Sequence, residues 1–139
     1  MYEQILVGVD GSDHASRAVT HAVNLAKQYG ATLHALYVIE TRTAYDNAII
    51  NPEERREALR SEGERALDAV RQQAEEAGVT VETRIVEGSP PRKILSYIDE
   101  EKIDMVCMGE RGQSDFKTVL LGSATETVVH ESDVPVVVV

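Results

Sequence analysis

Short apolar runs and longer amphipathic segments alternate along this chain. Five of the runs are rich in Val, Ile and Leu and too short for helices, which predicts buried strands. They cover residues 5–9, 32–39, 79–86, 104–108 and 134–139. The third run partly alternates apolar and polar residues, so we expect that strand at an edge of the sheet, where it meets more water.

Four segments between these runs carry apolar residues at helical spacing. They cover residues 13–29, a stretch from Asn51-Pro52 to Gly78, a stretch opening at Ser89-Pro90-Pro91, and about 119–132. Capping residues, first-turn prolines and terminal glycines mark most of their ends. Residues 40–51 have no clear period and are predicted to form a loop.

Alternating buried strands and helices are typical of an α/β domain. We therefore predict one open parallel five-stranded sheet with helices on both faces. A length of 139 residues suits a single domain. No run of about 18 apolar residues could cross a membrane. The first residues lack the basic region and cleavage site of a secretory signal, so we expect a cytoplasmic protein.

The charge balance narrows the candidate partners. Fourteen Lys and Arg against 24 Asp and Glu give a net charge of −10, which disfavours nucleic-acid binding. The only cysteine, Cys107, lies in a predicted buried strand, where we expect an inert apolar role instead of redox chemistry. The histidines show no metal-ligand spacing, and no Ser-His-Asp or Cys-His set appears, so we assign no metal ligand and no catalytic residue.

Small and acidic residues collect where the predicted strands end. Asp10-Gly11-Ser12 follows the first strand, Gly109 and Gly112 follow the fourth, and Gly122-Ser123 comes after nine further residues. Glycine turns beside a helix start can cradle a phosphate with backbone N–H groups. Neither GxxxxGK[ST] nor GxGxxG occurs, which argues against a P-loop enzyme or a simple dinucleotide dehydrogenase. On these residues alone, tight turns without a ligand are as good an interpretation as phosphate binding.

The C-terminal quarter carries a more specific pattern. Residues 108–139 resemble the signature of the universal stress protein family, with its ATP-binding spacing at Gly109, Gly112, Gly122 and Ser123. The opening ILVGVDGS and the final VPVVVV are also similar to that family. The resemblance implies a Rossmann-like domain of the adenine nucleotide α-hydrolase-like type, with strand order 3-2-1-4-5. It also implies ATP as ligand, with AMP or ADP as alternatives, Mg²⁺ arriving with the nucleotide, and a homodimer.

The same resemblance implies where the nucleotide lies. Asp10, next to Val9, would stand by the ribose or adenine, the backbone of Val38 would meet the adenine, and Met108 with Gly109 would flank the ribose. The phosphates would be held by a second group, namely Gly112, Gly122, Ser123 and Ala124. Arg111 is a candidate phosphate clamp between two of the glycines, although a solvated loop arginine is the commoner situation.

Other roles remain open for two of these residues. Asp10 could cap the first helix, and Ser123 could cap the last one, with or without a bound anion. The apolar tail, residues 134–139, would be an exposed edge strand by family topology, so we expect two copies to pair there. An internal strand covered by helices is the alternative.

The sequence thus favours an ATP-binding universal stress protein that acts as a regulatory or sensor module in the stress response. One alternative is an enzyme of the same fold, a slow ATPase or a nucleotidyl transferase, which needs a group that positions water or acts as a base near the last phosphate. No such group is evident, so hydrolysis should be slow at most. The other alternative is a dimeric interaction protein that binds no nucleotide.

Overall fold

The computed structural model describes residues 1–40, 51–110 and 121–139 of the chain. These residues form five strands and four helices in strict alternation. In chain order they are β1 (Gln4–Val9), α1 (Asp13–Tyr29), β2 (Thr32–Glu40), α2 (Pro52–Glu76), β3 (Val81–Gly88), α3 (Pro90–Glu100), β4 (Met105–Met108), α4 (Ser123–Glu131) and β5 (Val136–Val138).

The strands form one parallel sheet in the order β3-β2-β1-β4-β5. This confirms the expected α/β class, the order 3-2-1-4-5, and the position of β3 at an edge. The apolar faces of α1 and α2 pack on one side of the sheet around Ile5, Val7 and Leu33. Those of α3 and α4 pack on the other side around Leu6, Leu36 and Val106.

Some boundaries differ from the sequence predictions. The third strand starts at Val81, two residues later than predicted, because the Val79 N–H donates to the Ala74 carbonyl at 2.8 Å and completes the end of α2. The last helix starts at Ser123 and not near residue 119, since Gly122 has extended backbone (φ −65°, ψ 154°). Most of the predicted loop 40–51 lies outside the described residues.

The described ranges lack two kinds of feature. None of the helices there has the length and apolar character needed to cross a bilayer. The same ranges contain no cluster of three or more His, Cys, Asp or Glu side chains arranged to hold a metal ion.

Candidate functional site

A cavity of about 620 Å³ opens at the carboxyl ends of β1, β2 and β4. Its walls come from these strand ends and from the N-terminal parts of four helices. The strand residues are Gly8, Val9, Asp10, Leu36, Tyr37, Val38, Ile39, Glu40, Met108 and Gly109. The helical walls comprise Ala15 of α1, Arg55 and Leu59 of α2, Ser89, Pro90, Pro91 and Ile94 at α3, and Ser123, Ala124 and Thr125 of α4.

The topology explains why the cavity is here. The helix after β1 packs on one face of the sheet and the helix after β4 packs on the other, while β1 and β4 are neighbours. The two connections therefore leave the sheet in opposite directions and open a crevice between them. Ligands of open parallel sheets bind at such a point.

The sheet register leaves backbone groups of β2 available at the cavity. Pairing of β1 with β2 ends at Val9 opposite Tyr37. Pairing of β2 with β3 continues for three more residues, to Glu40 opposite Gly88. Within the described residues, no strand pairs with this last part of β2 on its β1 side. Between them, Val38 and Ile39 can therefore offer backbone groups on this side to the edge of a flat ligand.

The start of α4 is held against the end of β4 by two hydrogen bonds. The Gly122 N–H donates to the Glu110 carbonyl at 2.5 Å, and the buried Thr125 hydroxyl donates to the Gly109 carbonyl at 2.7 Å. Gly122 occupies the N-cap position, so Ser123 is the first helical residue and the capping interpretation of Ser123 is wrong. The first amides of a helix have no acceptor within the helix, and Ser123, Ala124 and Thr125 of this first turn line the cavity.

The start of α3 is chemically different, although it borders the same cavity. Pro90 and Pro91 occupy the first two helical positions, so neither can offer a backbone N–H. Ser89 stands at the N-cap without making a side-chain cap hydrogen bond. With Ile94 and the strand residue Val38, the prolines form an apolar wall. The cavity therefore has an apolar end near β2 and α3 and an amide-bearing end at α4.

Asp10 lies between these two ends, directly after β1. Its Oδ1 accepts the Ser12 N–H at 2.9 Å, and the Ser12 hydroxyl in turn accepts the Ala15 N–H at 3.1 Å. Ser12 is thus the N-cap of α1, and the capping interpretation of Asp10 is wrong. Burial, followed by the charges of Glu62 and Asp10, raises the pKa of the nearby Tyr37. The Tyr37 phenol therefore stays protonated at neutral pH.

Gly109 allows α1 to lie close to the end of β4. A Cβ on Gly109 would come within 2.7 Å of the His14 carbonyl carbon and 2.9 Å of its oxygen. These are backbone atoms of the first turn of α1, which cannot swing aside. The absence of a side chain at residue 109 therefore sets the spacing of the two elements that border the crevice.

Cys107 lies in the buried middle of β4 and is not part of the cavity lining. Burial raises the pKa of its thiol to about 11, so the thiol is protonated at neutral pH. This agrees with the inert apolar role expected from the sequence.

Comparison with known proteins identifies the family. The model of the universal stress protein family matches residues 1–139. The chain belongs to this family. Universal stress protein MJ0531 of Methanocaldococcus jannaschii is 35% identical over 140 residues, which cover 100% of this chain and 82% of that protein. Universal stress protein YxiE of Bacillus subtilis is 33% identical, and the match covers 100% of this chain and 99% of YxiE.

Solved universal stress protein structures share the fold. Protein MJ0577 superposes with a TM-score of 0.88 at 30% identity, covering 100% of this chain and 96% of that one. UspA from Lactobacillus plantarum gives a TM-score of 0.80 at 33% identity, and the match covers 99% of this chain and 97% of UspA. A universal stress protein solved in complex with cAMP gives a TM-score of 0.71 at 29% identity, and the match covers 99% of this chain and 96% of that protein.

The structure brings most of the residues singled out in the sequence to one place. Seven of them line the cavity of this universal stress protein: Val9, Asp10, Val38, Met108, Gly109, Ser123 and Ala124. Gly122 is buried just before α4 and is not among the lining residues. Arg111 and Gly112 lie outside the described residues.

Other lining residues are not among the candidates from the sequence. Ser89, Pro90 and Pro91 are predicted there only as a helix start, although their place after a predicted strand end is a signal that they belong to the same rim. Tyr37 and Arg55 had no such signal. Their contribution depends on how α2 crosses β2, which no local pattern specifies.

Proposed function

We propose that this universal stress protein binds an adenine nucleotide in the cavity at the carboxyl end of the sheet. ATP is the preferred ligand, with AMP and ADP as shorter forms, and binding acts as a regulatory or sensor signal in the stress response. One observation carries the proposal. The cavity combines an apolar end, where Val38 and Ile39 have no strand partner on the β1 side within the described residues, with the first turn of a helix, whose positive dipole end favours an anion.

The two ends suggest the orientation of the ligand. The adenine would lie against the backbone of Val38 and the apolar wall of Pro90 and Ile94. The ribose would lie near Asp10 and Met108. The phosphates would extend to Ser123 and Ala124 at the start of α4, where the helix dipole favours negative charge. Mg²⁺ would arrive with the phosphates and partly neutralise them. The cAMP complex of a relative at 29% identity supports the choice of an adenine nucleotide.

A regulatory role fits the placement of the acidic groups better than rapid turnover does. Among the described lining residues, the carboxylates are Asp10, directly after β1, and Glu40, the last residue of β2. Hydrolysis needs a group that orients water beside the terminal phosphate. Neither of these carboxylates belongs to α4 or to the end of β4, so we expect slow hydrolysis at most.

We further propose that two copies pair along β5 to form a homodimer. This strand is at the edge of the sheet, and Val138 is 37% exposed. On the adjoining helix, Val129 is 40% exposed. An apolar edge strand beside exposed apolar side chains favours pairing with another strand, and a symmetric pairing closes both edges at once.

The nucleotide proposal can be tested on freshly purified protein. The protein is denatured, and any released small molecule is identified by mass spectrometry. The emptied protein is then titrated with Mg-ATP by calorimetry while phosphate release is followed. Copurifying adenine nucleotide or micromolar affinity with negligible turnover is expected. Rapid phosphate release would favour the ATPase alternative. Absence of both ligand and binding would overturn the proposal and leave the interaction protein.

A further inference from the structure

One face of α2 runs along β2 toward the cavity. Arg55, Leu59 and Gly63 are spaced four residues apart, so they lie on the same side of this helix. Gly63 sits directly on the Tyr37 ring, because a Cβ there would be only 2.8 Å from a ring carbon. Arg55 is eight residues earlier, which is about 12 Å further along the helix. This rise brings Arg55 to the carboxyl end of β2, where it lines the cavity with Leu59.

Arg55 places a positive charge in the first turn of α2, where the helix dipole does not favour it. The first turn of α2 carries Glu53 and Glu54, whose charges suit the positive end of the helix dipole. Arg55 follows them in the same turn and is half-buried. The neighbouring Arg56 pairs with Glu87 at 3.2 Å. Within the described parts of the chain, the Arg55 guanidinium enters no ion pair.

We infer that Arg55 is a recognition residue for the nucleoside end of the bound nucleotide, with its guanidinium packed against the base. The inference rests on the proposed function and names a contact within that site. A guanidinium is planar, remains charged and stacks on ring faces, and it is more weakly hydrated than an ammonium group. A base held on the backbone edge of β2 presents such a ring face to the helix above it.

The position of α2 separates this role from phosphate binding. The helix packs on β2 and β3, whereas the amide-bearing start of α4 follows β4. Two strand spacings, about 10 Å, lie between β2 and β4. Arg55 therefore contacts the part of the ligand that AMP, ADP and ATP have in common.

The affinities of AMP, ADP and ATP distinguish these roles. Calorimetric titration of Arg55→Ala should show a dissociation constant raised about tenfold, within the range seen when a base loses its stacking partner. The factor should be the same for all three nucleotides. Arg55→Lys retains the charge without the planar group, so its nucleotide affinity should be nearly as low as that of Arg55→Ala. Arg56→Ala is the matched control, because it removes the same charge from an exposed neighbour, and it should bind like the wild type.

Three results would overturn the inference. They are unchanged affinity in Arg55→Ala, a loss that grows with the number of phosphates, and full recovery of affinity in Arg55→Lys. Each of these outcomes leaves the proposed function intact, because the wild type still binds nucleotide. If the wild type binds none of the three nucleotides, the proposed function fails and this inference fails with it.

The unfolding temperature gives a second readout that a structural role would not produce. Removing a cation from the first turn should leave nucleotide-free Arg55→Ala as stable as the wild type or slightly more stable. Saturating ATP should nevertheless raise its unfolding temperature less than it raises that of the wild type, because ligand stabilisation follows affinity. A nucleotide-free variant that melts well below the wild type would mean that Arg55 serves the fold and would contradict the assignment.

Discussion

At Gly109 the first helix lies against the end of a strand with no room for a side chain. The contacts that a Cβ would make there involve the His14 backbone, whereas a Cβ on Gly8 would meet only side-chain atoms of Ile94 and Met108 at 3.8 and 3.9 Å. The first contact distances are too short for any real side chain, and the second are ordinary packing distances. Two glycines of the same cavity wall thus differ sharply in how much they tolerate a methyl group.

Gly109→Ala should therefore displace the start of α1 and lower the free energy of unfolding by about 1–3 kcal/mol, as forced overpacking does. Gly8→Ala should lower it much less. Urea unfolding of both variants measures the difference. Equal stability of the two variants would contradict the close approach of α1 to β4.

His34 is a buried histidine near the start of β2, away from the carboxyl ends of the strands where the cavity opens. Its Nδ1 is 2.7 Å from the Tyr97 hydroxyl oxygen, and its Nε2 is 2.6 Å from Gln4 Oε1. Burial lowers the pKa of His34 below 6.5, and the nearby charge of Arg84 adds to this. The acidic Glu82 and Glu101 act against the shift without cancelling it. The ring is therefore neutral in the folded protein at neutral pH.

A depressed histidine pKa makes stability depend on pH in one direction. Below about pH 6.5 the unfolded chain binds a proton at His34 that the folded chain does not, so folding becomes less favourable as the pH falls. The free energy of unfolding should drop from pH 7.5 to pH 5.5 more steeply in the wild type than in His34→Gln. His130→Gln makes the same chemical change at an exposed histidine and is the matched control. Parallel curves for wild type and His34→Gln would show that His34 is not responsible.

At the scale of elements, the sequence predicts most of this fold because its signals are local. Apolar runs of the right length, the Asn51-Pro52 start of α2 and the Gly30 end of α1 each act within a few residues. The predicted start of β3 is two residues too early because Val79 is apolar and buried, as a residue is both just after a helix and at the start of a strand. Apolar character alone does not distinguish these two roles.

The residues of the candidate site also fall into two groups, those that a local sequence pattern predicts and those that depend on contacts between elements. The glycine and serine pattern at α4 is continuous in sequence, so residues such as Gly109 and Ser123 could be found without a structure. Arg55 could not, because its approach to the cavity depends on Gly63 letting α2 settle on Tyr37. That is a contact between two elements, and hydrophobic periodicity does not reveal it.

The start of α4 offers a test of phosphate placement that spares the fold. Ala124 lines the cavity within the first turn, where a carboxylate suits the helix dipole and a phosphate would be its direct competitor. Ala124→Asp should therefore unfold at the same or a higher temperature than the wild type, while its ATP affinity falls at least tenfold. Ala124→Asn has the same shape without the charge and should lose much less ATP affinity. If Ala124→Asp and Ala124→Asn bind ATP equally well, the phosphates do not lie at this helix start.

On the scale of the whole molecule, the candidate site and the free edge of the sheet use different parts of β4 and β5. The cavity opens beyond the end of β4, at Met108 and Gly109. The edge is the outer side of β5, whose inner side is bonded to β4 through Val106 opposite Val136 and Met108 opposite Val138. A dimer formed along β5 would therefore leave the mouth of the cavity accessible to nucleotide, and the two properties can be changed separately.

The hydrogen-bond pattern of β5 identifies a substitution that acts on the dimer alone. The Val139 N–H donates to the Met108 carbonyl at 2.9 Å, and the Val139 carbonyl accepts the Glu110 N–H at 2.8 Å. Because groups alternate along a strand, the N–H of Val138 points away from β4. Val138→Pro removes that outward donor and should give monomers by light scattering, with ATP affinity retained. Val138→Thr keeps the N–H and the branched side chain and should remain dimeric. A dimer that persists in Val138→Pro would exclude pairing along this edge, because the proline blocks it without disturbing the bonds to β4.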